Sequence, residues 1–114
     1  MKEIGKQVGT LGDFEQLVLL ALLRLGDGTY GAEIRREIEE RTGRDLAISA
    51  VYVTLSRLES KGLVESWTGE PKATRGGRRR KHLRVLPAGR RALGETIRQF
   101  QRMAEGLERE LEAR

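Results

Sequence analysis

Cysteine is absent from this 114-residue chain, and histidine occurs once, at His82. Without thiols the chain can form neither disulfides nor thiolate metal sites, and a single imidazole cannot build a zinc site of the usual kind. We therefore expect no metal and no cofactor. The literal Gly-x-Gly-x-x-Gly at 26–31 follows a helical pattern instead of a strand, so we interpret it as a turn. No Ser/His/acid set is suggested, and we expect no enzyme.

Long apolar runs are missing as well. The longest, residues 17–23, is far shorter than the ~20 residues that a membrane-spanning helix needs. The first residues lack the basic start and apolar stretch of a secretory leader, so we expect no such leader. With 38% hydrophobic and 34% charged residues, the composition is too apolar for a disordered chain and too charged for a membrane protein. We expect one small cytoplasmic domain with no membrane partner.

Acidic residues are lacking from one segment. The chain carries 22 Lys and Arg against 17 Asp and Glu, a net charge of +5. Between Pro71 and Gly94 every charged residue is basic. A concentrated basic block on a basic domain is typical of a protein with a polyanionic partner.

Periodicity predicts three helices, at about 14–25, 30–41 and 48–61, and then two strands, 63–68 and 81–86, around a basic loop. A long helix follows at about 88–112. This order predicts a mainly α fold with a small β-hairpin, namely a winged helix-turn-helix with a long C-terminal dimerisation helix. We divide the chain into a flexible N-terminal arm (1–12), a winged-helix DNA-binding domain (13–87) and the C-terminal dimerisation helix (88–114).

The third helix has a face suited to reading nucleic acid. Opposite its apolar residues it carries small hydroxyls and one guanidinium, with no carboxylate until its edge. Such a slim face can enter a major groove without repelling phosphates, although an ordinary solvated face is the alternative. The predicted contacts from this helix are Ser49, Ala50, Tyr52, Val53, Ser56, Arg57 and Lys61. From the loop and second strand, which would lie on the backbone or in the minor groove, they are Arg75, Arg78, Arg79, Arg80 and Lys81.

The last helix has apolar residues spaced 4, 3, 4, 3 and 4 apart, which is the a/d seam of a helix that pairs with another helix. Packing against the chain's own first helix is the alternative. That first helix is apolar nearly all round, so it needs cover on more than one side. We predict a homodimer whose interface contains Phe14, Leu17, Leu93, Ile97, Phe100, Ala104, Leu107 and Leu111.

Several segments together resemble the PadR-like winged-helix transcriptional regulators. They are GAEI at 31–34, AVYVTLSRLE at 50–59, KGLV at 61–64, GRRRK at 77–81 and AGRRAL at 88–93. The length is similar to that of the short subgroup, which has a single C-terminal dimerisation helix. The resemblance implies a homodimeric repressor of a palindromic double-stranded DNA operator. It implies recognition contacts from Tyr52 and Arg57, and wing contacts from 78–81.

In some members of that family a planar organic inducer lies between tryptophans of the last helix. Here the single tryptophan, Trp67, is on the predicted wing strand, and Phe100 is the only aromatic residue of the last helix. Whether a small-molecule inducer binds at the dimer interface therefore stays an open question, and we do not expect one to stack between two aromatic rings of the last helix. A second hypothesis, from another class, is a nucleic-acid-binding adaptor that recruits another protein through its C-terminal helix.

Overall fold

The computed structural model describes residues 11–69 and 80–112. Within them the helices are α1 (Asp13–Leu25), α2 (Gly31–Thr42), α3 (Ile48–Ser60), α4 (Pro87–Ala104) and α5 (Glu108–Leu111). The strands are β1 (Thr29–Tyr30), β2 (Val64–Thr68) and β3 (Lys81–Val85). The predicted mainly α, winged-helix fold is confirmed, and the bounds of α1, α2, α3, β2 and β3 are close to those expected.

The small sheet has one strand more than the predicted hairpin. Its order is β1-β3-β2, with both neighbouring pairs antiparallel. Strand β1 comes from the segment interpreted as a turn, where the backbone N–H of Gly28 donates to the carbonyl of Leu83 over 3.0 Å. The sheet register then places Tyr30 opposite His82, and His82 opposite Trp67.

The core lies between the first three helices and one face of the sheet. Its largest fully buried side chains are Leu19, Leu22, Ile34, Leu58, Leu63 and Leu83. Leu11 is also buried, although it falls within the predicted arm, of which residues 1–10 lie outside the described residues. These apolar contacts fix α3 against α1 and the sheet, and they leave the opposite face of α3 toward solvent.

The C-terminal region departs from the single helix predicted to about residue 112. Helix α4 starts at Pro87, one residue before the predicted start, but it ends at Ala104. Glu105 leaves the helical conformation, and Gly106 has φ +87°, a conformation that favours glycine. The chain then makes the short α5. Leu107 and Leu111 therefore do not continue the α4 seam on one helix.

In the parts of the chain that the structure describes, no helix combines the length and apolar character needed to span a bilayer.

Candidate nucleic-acid interface

Helix α3 presents six of the seven contact residues predicted from it to solvent. Val51, Thr54, Leu55 and Leu58 are buried, so the outward row consists of Ser49, Ala50, Tyr52, Val53, Ser56 and Arg57. Tyr52 is 47% exposed and Val53 is 51% exposed. Tyr52 and Val53 thus add apolar surface to a row that otherwise carries hydroxyls and a guanidinium.

The turn before α3 is held by a side chain of α2. Gly43 ends α2 in the left-handed conformation, with φ 76°. A carboxylate oxygen of Glu39 then accepts a hydrogen bond from the backbone N–H of Leu46 at 3.0 Å and one from Arg35 at 3.3 Å. The Leu46 hydrogen bond, together with Arg35, lowers the pKa of Glu39 despite some desolvation. The charged carboxylate thus ties α2 to the turn that precedes α3.

Lys61, the last residue predicted from this helix, points back into the chain. Its Nζ lies 3.0 Å and 2.9 Å from the two carboxylate oxygens of Glu15 in α1. Glu15 is 7% exposed and also accepts a hydrogen bond from the backbone N–H of Gly12 at 2.9 Å. The Lys61 ammonium is therefore neutralised within the chain, which separates it from the exposed row of α3.

At the base of the wing the structure describes two of the predicted cations, both exposed. The guanidinium carbon of Arg80 lies 4.1 Å from the ring centroid of Tyr30. The Nζ of Lys81 lies 3.7 Å from Oε1 of Glu59 at the end of α3, and Glu59 also accepts a hydrogen bond from Ser66 at 2.6 Å. The contacts predicted at Arg75, Arg78 and Arg79 lie outside the described residues.

Three rings cross the outer face of the sheet. Tyr30 meets His82 edge to face at 6.5 Å, and His82 stacks on Trp67 at 5.8 Å. The Nδ1 of His82 lies 2.6 Å from the carbonyl oxygen of Gly28. Because a carbonyl can only accept, Nδ1 carries the proton. Arg84 closes the row over Trp67 and pairs with Glu65.

Beside Tyr30, the first residue of α2 touches α3. A Cβ atom added to Gly31 would lie 2.6–2.8 Å from Cε1, Cζ and Oη of Tyr52. The absence of a side chain at Gly31 is thus what gives the Tyr52 ring its place. This contact joins the start of α2 to the middle of the exposed row.

The residues predicted for the dimer interface divide into buried and exposed sets. Leu93 is 3% exposed and belongs to the core of its own chain. Phe14, Leu17 and Ile97 pack partly against that core, and Ala104 is half-buried. The exposed remainder is Phe100, Leu107 and Leu111, joined by Met103, which was not predicted.

Three features of the site were not predicted from the sequence. They are the Tyr30–Arg80 contact, the Gly31–Tyr52 contact and the Glu15–Lys61 pair. The first two follow from the edge strand β1, whose two residues are too few to give a periodic signal. The third joins residues 46 positions apart, and nothing local in the sequence marks it.

Comparison with known proteins gives consistent matches. The sequence profile of the "Transcriptional regulator PadR-like family" matches residues 19–95. A PadR family transcriptional regulator from Eggerthella lenta is 28% identical, with a TM-score of 0.66, over 87% of this chain and 84% of that one. One from Clostridium difficile is 27% identical, with a TM-score of 0.64, over 85% and 96%. An uncharacterised protein of Lysinibacillus sphaericus is 28% identical over 82% of this chain and 84% of its own.

Proposed function

The chain belongs to the PadR-like family of transcriptional regulators, and on that premise we propose that it is a homodimeric repressor that recognises a specific sequence in double-stranded DNA. Membership makes it a DNA-binding regulator and not an enzyme. In the proposed complex the two α3 helices of a dimer enter successive major grooves about 34–36 Å apart. The operator is then palindromic, because it mirrors the twofold axis of the dimer.

The observation that carries this proposal is the exposed row of α3. It offers two hydroxyls, a phenol and a guanidinium around small apolar side chains. Within residues 11–69 and 80–112, no carboxylate lies within ion-pair distance of Arg57 or Arg80. Both guanidinium groups thus remain available to guanine edges or to phosphates.

The wing supplies the sequence-independent part of the binding. Its basic residues extend from 72 to 81, and each phosphate they neutralise releases condensed counterions. We assign the DNA contacts to residues 13–87, with the loop at 69–81 on the backbone or in the minor groove. Residues 88–114 hold the two subunits together.

Dimerisation is supported by apolar surface that the chain leaves uncovered. Phe100 is 64% exposed, Met103 is 78% exposed and Leu111 is 64% exposed. On α1, Leu20 and Leu25 are each 37% exposed, and Leu17 lines a groove of about 180 Å³ beside α2. A second copy of the chain would bury this surface through α4, α5 and α1.

The exposed apolar residues of α4 and α5 also fit the second candidate, an adaptor that binds nucleic acid and recruits another protein. The two functions differ in the role of α3: in the repressor it reads bases in the major groove of DNA. In A-form duplex RNA the major groove is deep and narrow and side chains cannot read it. An adaptor bound to RNA would therefore make no use of a slim reading helix.

Selection of duplexes from a random DNA library tests the proposal. The repressor is expected to enrich one palindromic sequence and to bind it far more tightly than an RNA duplex of the same sequence. Adding the protein to a transcription reaction whose promoter overlaps that site should then reduce transcript. Failure to enrich any DNA sequence, with equal binding of the RNA duplex, would favour the adaptor.

A further inference from the structure

Two adjacent residues, Tyr30 and Gly31, each touch a different part of the DNA surface described above. Tyr30 lies under Arg80 of the wing base, and Gly31 lies against the ring of Tyr52 in α3. We propose that this dipeptide positions the wing and the recognition helix relative to each other, so that Arg80 and Tyr52 meet the same DNA duplex. The inference rests on the proposed function and names two positioning residues for it.

The contact between Tyr30 and Arg80 restricts a long side chain. At 4.1 Å from the ring centroid, the guanidinium is well within the range of a favourable cation–π interaction. The ring itself makes a T-shaped contact with His82, which is held in turn by the Gly28 carbonyl and by Trp67. An arginine held in this way loses less conformational entropy when it binds a phosphate.

The contact between Gly31 and Tyr52 depends on space and not on backbone conformation. Gly31 is not among the glycines with positive φ, so any residue could adopt its backbone angles. A Cβ atom at this position would nevertheless overlap the Tyr52 ring. The ring is the far end of a side chain that is 47% exposed, so it can swing away at little cost to stability. The position of the Tyr52 hydroxyl would then change.

Gly31→Ala separates this positioning role from a structural one. Alanine is the better helix former, so the midpoint of thermal unfolding should not fall. Affinity for the duplex enriched from the random library should fall by about 2- to 150-fold, the range in which contacting residues couple. In a Tyr52→Ala background the same substitution should have no further effect on affinity. Equal losses in both backgrounds would overturn the proposed role of Gly31.

The Gly31 and Tyr52 substitutions form one double-mutant cycle, and a second double-mutant cycle tests whether Tyr30 acts through Arg80. Tyr30→Phe keeps the ring face and should bind that duplex like the wild type. Tyr30→Leu and Arg80→Gln should each weaken binding and lower the slope of log affinity against log salt, by about one per lost phosphate contact. The double variant Tyr30→Leu/Arg80→Gln should be no weaker than Arg80→Gln alone. Additive losses, or a Phe variant as weak as the Leu variant, would overturn the role of Tyr30.

Selection with the wild-type protein distinguishes a failure of the proposed function from a failure of the positioning role. If it enriches no DNA sequence, the proposed function fails. If it binds its enriched duplex tightly while both cycles are additive, the function stands and the positioning role of Tyr30 and Gly31 is rejected.

Discussion

The ammonium of Lys61 lies within 3.0 Å of both carboxylate oxygens of Glu15, and this pair ties the end of α3 to the first turn of α1. Burial raises the pKa of Glu15, but three effects outweigh it: the Gly12 backbone hydrogen bond, the hydrogen bond and charge of Lys61, and the positive charge of Arg57. Its pKa therefore lies below the ordinary value of 4.5. The ion pair fixes α3 by its last turn while its exposed row stays free.

Glu15→Gln should lower the free energy of unfolding at neutral pH by about 1.5–3 kcal/mol, the range for hydrogen bonds to a charged group. Because the pKa is lowered in the folded state, the stabilisation is complete above the ordinary value and is lost as the pH falls through the folded value. The wild type should thus lose more stability on acidification than the variant. Urea unfolding between pH 7 and pH 3 measures this, with Glu40→Gln on an exposed position of α2 as the control. Parallel pH profiles for wild type and Glu15→Gln would contradict the assignment.

Gly89→Ala should destabilise the fold, because its Cβ atom would lie 2.3 Å from the carbonyl oxygen of Leu63. Overpacking of this kind costs about 1–3 kcal/mol. Gly94→Ala is the matched control on the same helix: its Cβ meets only the flexible end of Arg98, at 3.2 Å. It should stabilise the protein by up to about 1 kcal/mol, because alanine is the better helix former. Thermal denaturation compares the two, and equal melting temperatures would show that α4 can move away from Leu63.

Arg57→Ala should reduce the preference for the operator over other duplexes by about 5- to 150-fold, which corresponds to the loss of one bidentate base contact. Fluorescence anisotropy on operator and scrambled duplexes measures the preference at fixed salt. Arg98→Ala, which removes an exposed arginine of α4, controls for the change in charge. Should the preference survive while both duplexes bind more weakly, Arg57 contacts phosphate and does not read sequence.

Phe100→Arg should shift sedimentation toward the monomer and abolish tight operator binding, because it places a charge in the centre of the proposed interface. Gln99→Arg introduces the same charge at the adjacent exposed position of α4 and should leave the dimer intact. Analytical ultracentrifugation over a range of protein concentrations reports both. A Phe100→Arg protein that stays fully dimeric would place the interface elsewhere.

The sequence predicts the fold well where its signals are local. The helical periods of α1, α2 and α3 are confirmed, and each of these helices ends within one residue of its predicted end. Gly106, in contrast, lies in a seam whose apolar spacing continues past it, and the spacing alone does not reveal that the backbone turns there. Strand β1 depends on hydrogen bonds to β3 that form only after the chain has folded.

In the candidate site, too, only the features with a local sequence signal could be predicted. The exposed row of α3 follows from the absence of acids and from the helical period, so it was predictable. The environments of Lys61 and Leu93 were not, because each depends on a distant partner: Glu15 for Lys61, and the packing of α4 on the core for Leu93. The interface residues on α1 and α4 remain a prediction until the dimer is measured.

The most direct test of sequence-specific repression is the affinity of the purified protein for the DNA upstream of its own gene. Fluorescence anisotropy across a salt series compares this affinity with that for a scrambled duplex. A specific repressor should bind the native fragment more tightly by about a hundredfold or more. If roughly six phosphates are neutralised per dimer, log affinity should fall with log salt at a slope near −5. Equal, salt-sensitive binding to both duplexes, followed by failure to enrich any sequence from a random library, would contradict sequence-specific repression.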